Sequence, residues 1–324
     1  MSSSENLPMD QPLGLCDVVG LAVRIWRKNL GLILRALMMP TIMLAISTSV
    51  LQFCLQYGFS GFSDFPRTVA FIGAAFAAFL LYIFALFYLA VQEIALVRLF
   101  TGFAPDWEKA RAFSMKRLPW VIGLSFINLM IWGVILAIFF CIIGISTFSM
   151  SLPGAGPVLG TVGMIVGFFG IIVTISVMLL YMLMGFAVIA CEETTFFGVI
   201  GRTFNWVGRY FGRTLCFGFI FYTIFTAISM PVSLPVVVVS VIDAIQAGAH
   251  ATAGAEPKLS MPVLMFVQVW ESICGLLLRP LTVLSFGLYY LDLRQRADGL
   301  DLFRKLRVMK EQFASVGENG LQGR

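Results

Sequence analysis

Six apolar stretches, at 29–54, 68–97, 118–147, 157–190, 214–245 and 261–291, constrain this chain more than any other feature. Crossing the hydrocarbon of a bilayer as a helix takes about 20 mostly apolar residues. Only helices and closed barrels satisfy the backbone inside hydrocarbon, and long continuous apolar runs without alternation point to helices. Some runs are longer than a perpendicular crossing needs, so tilt or extension beyond the hydrocarbon follows. The composition agrees. Of the 324 residues, 59% are hydrophobic and 12% charged, against about 45–50% and about 25% in ordinary globular chains. The expected fold is all-α: a polytopic membrane protein of six transmembrane helices, with amphipathic helices at the cytoplasmic interface.

The domain organisation follows from the same runs. Residues 1–12 read as a disordered polar tail, and lack the basic start of a signal peptide. Residues 13–291 form the six-helix membrane domain, and 292–324 a charged cytoplasmic tail. Lys and Arg set the orientation. Nineteen of the 22 fall before the first run or at its entrance (Arg35), in the second and fourth connections, or after the last run; only Arg67 and Lys258 fall in the others. The twenty-second, Arg279, lies inside the last run. Basic residues mark the cytoplasmic side, so both termini are expected there, as in a bacterial inner-membrane protein. The +5 net charge is then a topology signal, and no nucleic-acid partner is implied. A weak internal repeat accompanies it. Asp17, Asp106 and Glu193 each open a segment that turns basic before an odd-numbered span. Insertion pressure alone also produces that rhythm.

Several chemistries lack their residues. His250 is the only histidine, the six cysteines form no CxxC, and there is no P-loop. No catalytic set, metal site or cofactor is expected, and the sequence points away from an enzyme. The polar residues inside the spans carry more information. Arg279, in Leu276–Leu281, sits about midway through the last span. A charge there costs ~2.5–3.5 kcal/mol on insertion scales, so it should face protein or water and have an acidic partner. Glu271, Glu93 and Asp243 are the candidates. Pro280 leaves the Leu276 carbonyl without its helical donor. Arg279 is either a structural lock or an anion site. Glu271, beside Trp270, also reads as a solvated helix end, and Glu93 as an acid snorkelling to the interface near Arg98. Gly163 and Gly167 form GxxxG, a helix-packing signature. Pro231 and Pro235 are expected to break the fifth span.

Residues 195–213 read as an interface helix. Phe197, Ile200, Phe204, Val207 and Phe211 form one apolar stripe, and Arg202, Arg209 and Arg213 share another with Trp206. That pattern suits a helix lying among headgroups. It is a topology-setting connector or a site for an anionic lipid or protein partner. Asp292, Arg294, Arg296, Asp298 and Asp301 form an alternating-charge cluster just below the bilayer. Asp298 and Asp301 could bind Arg202 or Arg209.

Two stretches carry a family resemblance. One is Ala187-Val-Ile-Ala-Cys-Glu-Glu193 with Gly201-Arg-Thr-Phe-Asn-Trp-Val-Gly-Arg209 and Arg213; the other is Tyr289-Tyr-Leu-Asp-Leu-Arg-Gln-Arg-Ala-Asp-Gly-Leu-Asp-Leu302. They resemble the membrane domain attached to some bacterial glycerophosphoryl diester phosphodiesterases, and related stand-alone membrane proteins. Leu291 separates Tyr290 from Asp292, and Asp298 takes the acidic place before Gly299, where the family signature differs. The resemblance implies a bacterial inner-membrane protein and does not imply phosphodiesterase activity. That activity belongs to a separate barrel of about 250 residues with catalytic histidines, for which this chain has no room and a single histidine. The leading expectation is a non-enzymatic scaffold or lipid- and envelope-associated module in contact with the bilayer. A transporter or channel subunit with Arg279 in its pathway is the alternative, and an enzyme acting on lipid the third.

Overall fold

The computed structural model describes residues 13–57, 65–151, 156–250 and 260–297. Among these residues the chain forms nine helices in the order α1 (Leu15–Lys28), α2 (Leu30–Tyr57), α3 (Phe65–Phe100), α4 (Trp107–Lys116), α5 (Leu118–Met150), α6 (Gly156–Cys191), α7 (Phe196–Arg209), α8 (Phe211–His250) and α9 (Met261–Ala297). Six of them, α2, α3, α5, α6, α8 and α9, are long and apolar enough to cross a membrane. The protein is a multi-pass membrane protein.

The three short helices share one construction. Each starts from an extended cap residue, Gly14, Asp106 or Thr195. At α1 the Asp17 carboxylate accepts from the Gly14 N–H, and at α7 the Thr195 hydroxyl accepts from the Gly198 N–H. Basic residues occupy the last turn of each, where the helix dipole favours them. A single residue then breaks the helix before the next span begins: Asn29 (φ −117°, ψ 21°), Arg117 (φ −93°, ψ 2°) and Tyr210 (φ −115°, ψ 30°). All three breaks fall in the sparsely used bridge region. A short helix, a one-residue break and a two-helix hairpin therefore recur three times. The hairpins are α2–α3, α5–α6 and α8–α9.

Packing joins the three units in a ring. Each short helix lies against the second long helix of the preceding unit: α4 on α3, α7 on α6, and α1 on α9. The last of these closes the ring between the two ends of the sequence. The second long helices also touch one another, α3 with α6, α6 with α9 and α3 with α9. Their basic ends form the core. Val91, Ile94 and Val97 of α3, Val188 to Ala190 of α6, and Leu288 to Tyr290 of α9 are buried. Farther from that end the helices present Phe148, Phe168, Phe169, Phe219 and other large apolar side chains outward. In water such a surface would drive aggregation; against acyl chains it is the required solvent.

Glycines set the tightest hairpin. Gly160, Gly163, Gly167 and Gly170 of α6 face Met150, Ser146, Ile143 and Phe139 of α5. A methyl group on Gly160 would lie 2.7 Å from the Ser146 carbonyl, which the α5 backbone cannot withdraw. The GxxxG pair is thus a packing surface. Gly102 has φ +79°, a left-handed conformation suited to glycine, and turns the chain out of α3 toward α4.

The prolines of the fifth span behave differently from the sequence expectation. Pro231 and Pro235 lie inside a continuous α8. Nearby side chains occupy local carbonyls: Ser233 donates to the Met230 carbonyl at 2.9 Å, and the Trp270 indole to the Val232 carbonyl at 2.7 Å. The carbonyls that the two prolines leave without a helical donor are those of Ala227 and Pro231, and the Trp270 bond ties α9 to α8 beside them.

Candidate functional site

Arg279 is held by the third and ninth helices acting together. Its Nε donates to Oε1 of Glu93 at 2.5 Å. Glu93 is 2% exposed, whereas the Arg279 side chain is 44% exposed. The acid is therefore turned into the bundle and does not snorkel to the interface. Its carboxylate finds a guanidinium within reach, which hydrocarbon or a partly wet interface alone would not supply. The two terminal NH₂ groups of Arg279 have no partner among the described residues. They are left for whatever fills the adjoining space.

That space is a cavity of about 210 Å³ between α2, α3 and α9. Beside Arg279 it is lined by Thr41, Thr48, Tyr82, Gln268 and Glu271 among others. Gln268 donates to the Thr48 hydroxyl at 2.8 Å, and Thr48 in turn donates to the Leu44 carbonyl at 2.8 Å. Glu271 is exposed and has no ion-pair partner among the described residues. It lines this cavity, on the same helix as Arg279. The helix runs through Pro280, and the Trp26 indole donates to the Leu277 carbonyl at 2.9 Å, tying α1 to α9 there.

Asp243, the third acid weighed for Arg279, has another task. It accepts from the Ser260 N–H and the Ser260 hydroxyl, each at 2.8 Å, and so caps the start of α9 from α8. A carboxylate is well placed there, because a helix N-terminus leaves its first N–H groups unpaired.

A second group of charges stitches the basic end. Arg98 donates to the Ala190 carbonyl at 2.9 Å and pairs with Glu193 at 2.7 Å. Arg117 donates to the Thr194 carbonyl at 2.6 Å and lies over the Trp120 ring. Glu192, almost fully buried, accepts from the Tyr290 hydroxyl and pairs with Arg202. Asp292, 1% exposed, accepts from the Leu13 N–H at 3.0 Å and pairs with Arg213 at 2.8 Å and Arg296 at 3.1 Å. Arg213 and Arg296 also reach the Leu13 carbonyl. Arg294, on the same turn as Asp292, is half-buried.

The interface helix is shorter than 195–213 and rotated from the expected stripe. Thr195 caps it, Arg209 ends it, and Phe211 already belongs to α8. Val199, Thr203 and Val207 face the core, and Phe197 points outward. Ile200 and Trp206 pack at the edge of the core. Trp206 stacks on Tyr210 and meets the edge of Tyr290, so it faces the bundle and not the arginine side. A four-residue step puts Val199, Thr203 and Val207 on one line, and the two terminal phenylalanines fall off it. Of the arginines, Arg202 and Arg213 are paired and Arg209 lies against the Tyr210 ring. Arg202 uses Glu192 where the sequence suggested Asp298 or Asp301; both of those lie outside the described residues, as does the tail at 1–12.

Sequence reasoning missed the Glu192–Tyr290 contact and the hub role of Asp292. Both residues stood in the quoted motifs, but nothing in a linear pattern says which buried side chains meet across 98 or 79 residues. Among the described residues no three His, Cys, Asp or Glu side chains come together as metal ligands would. No family model, curated protein or solved structure matches the chain.

Proposed function

We propose that this chain is a non-enzymatic protein of a bacterial inner membrane, with both termini in the cytoplasm, and that it acts as a lipid-handling scaffold. The observation that carries the lipid reading is the α2–α3–α9 cavity, a largely apolar space among transmembrane helices that holds an arginine whose NH₂ groups are unengaged. The ion pairs of the basic end support the scaffold reading, because their geometry ties helices to one another. The motifs around Glu192, Arg202 and Asp292 make the chain a proposed stand-alone relative of the membrane domain attached to glycerophosphoryl diester phosphodiesterases.

The 19-to-2 distribution of basic residues supports the orientation. So does the outer face of α1, where Arg24 and Arg27 border an open groove suited to an anionic leaflet. Reporter fusions at Gly61, Pro153 and Gly254 are expected to signal from the outside. Cytoplasmic signals at two of these three sites would overturn the topology.

Lipid handling predicts that the purified full chain keeps phospholipid through detergent exchange. Native mass spectrometry should show discrete lipid adducts, and release of them should lower the melting temperature. A chain that sheds all lipid without loss of stability would refute the reading. A transport pathway is the second reading, favoured by the half-exposed state of Arg279 beside a buried acid. It requires solute flux into proteoliposomes that Arg279→Met abolishes, and a lipid scaffold shows none.

A further inference from the structure

Charge arithmetic narrows what the intramembrane cavity can hold. The Glu93–Arg279 pair is electrically neutral, and Glu271 adds a negative charge to the same cavity. A simple anion would meet that carboxylate without compensation, and like charges in a poorly screened site repel strongly. A simple cation would leave the two NH₂ groups of Arg279 unused. A ligand that satisfies both must carry a positive and a negative pole. Glu271 and Arg279 are eight residues apart on one helix, about 12 Å along its axis, so the poles must be separate groups.

The donors define the poles. A guanidinium with free NH₂ groups matches the oxygens of a phosphodiester, and a carboxylate takes an N–H donor best when that donor is charged. Thr41, Thr48, Tyr82 and Gln268 supply uncharged hydrogen-bonding groups around them. A second, largely apolar cavity of about 240 Å³ lies farther along the same two helices, lined by Val50, Phe53, Leu264 and Met265, and shares Gln268 with the first. It lies past Glu271 on the side away from Arg279, so a phosphodiester held by Arg279 with its amine on Glu271 carries its other ester substituent toward the Arg279 end and not into this second space.

We propose that the α2–α3–α9 cavity binds a primary-amine phosphodiester of the phosphoethanolamine class, with Arg279 on the phosphate and Glu271 on the ammonium. This rests on the lipid-handling reading and goes further by naming the headgroup. The same chemistry occurs in a membrane lipid, phosphatidylethanolamine, and in its water-soluble deacylated form.

The test uses the full chain reconstituted with equal parts phosphatidylethanolamine, phosphatidylglycerol and phosphatidylcholine, with retained lipid read by native mass spectrometry. Phosphatidylethanolamine should be enriched about tenfold over phosphatidylglycerol, corresponding to about 1.4 kcal/mol. It should also exceed phosphatidylcholine, whose quaternary nitrogen has no N–H for Glu271. Glu271→Gln is the main variant, because Glu271 is exposed and bonded to nothing that holds the fold. It should erase the preference over phosphatidylglycerol while leaving the melting temperature within a degree or two. Glu93→Gln with Arg279→Gln removes the neutral pair and should weaken retention of all three lipids. Competition by soluble glycerophosphoethanolamine would assign the site to the deacylated form, and its failure to compete assigns it to the lipid. Lipid retained without headgroup preference, or a preference unchanged by Glu271→Gln, overturns the proposal while the lipid-handling reading stands. No retained lipid at all overturns both.

Discussion

Arg279→Met should destabilise the protein by about 3 kcal/mol, because it leaves Glu93 buried without its partner. Removing one member of a buried pair typically costs about 3–5 kcal/mol. The exposure of the Arg279 side chain to the cavity places this case at the lower end. Glu93→Gln combined with Arg279→Met should recover most of the loss, because neither change then strands a charge. The measurement is a double-mutant cycle of thermal melts in one detergent, with equal lipid content checked for each variant. If Arg279→Met alone melts like the unmodified chain, the 2.5 Å contact is not a stabilising pair. If the double variant is as unstable as the single, the loss arises from packing around α9 and not from the stranded carboxylate.

The number and extent of the spans were legible in the sequence, because twenty apolar residues in succession have few other fates. The six runs match the six long helices, whose ends extend a few residues farther; the 68–97 run, for example, lies inside a helix of Phe65–Phe100. Side-chain direction was much less legible. A helix that is apolar all round carries no stripe to say which face is inward. Glu93 shows this most clearly. One turn from Arg98, it had a sensible local explanation at the interface, and only the approach of α9 gives it a better one. The amphipathic helix α7 was easier in part: Ile200, Phe204 and Val207 of its expected stripe meet the bundle, and only the two end aromatics fall off it. Phe197 and Phe211 are large enough to dominate a stripe on paper, but the smaller Val199, Thr203 and Val207 fit where α7 meets the bundle. The acid-to-basic rhythm at Asp17, Asp106 and Glu193 did carry structure. It marks three short helices that start, break and pack alike.

The ring made by those three units must close somewhere, and Asp292 is where its ends meet. Its carboxylate takes the Leu13 N–H from the approach to α1, Arg213 from α8 and Arg296 from its own helix. The same two arginines hold the Leu13 carbonyl. At the junction of the third unit with the second, Arg117 holds the Thr194 carbonyl, also two residues before its short helix, and nearby Arg98 of the first unit holds the Ala190 carbonyl of the second. The two seams differ in one respect. Glu193 is largely exposed, whereas Asp292 is 1% exposed and serves three donors at once. Asp292→Ala should therefore be among the most damaging single changes in the chain, destabilising it by about 3–5 kcal/mol. Asp292→Asn should do less harm, because an amide oxygen still accepts from Leu13 while the charge is lost. Asp243→Ala, which removes a more exposed cap at the opposite end of the bundle, should cost about 1 kcal/mol. Hydrogen exchange separates a ring closure from a merely buried acid. If Asp292 closes the ring, its alanine variant should lose protection across Leu15–Lys28 before α5 and α6 loosen. Equal loss in all helices would mean that Asp292 supports the core as a whole, and unchanged protection in α1 would remove its role at the seam.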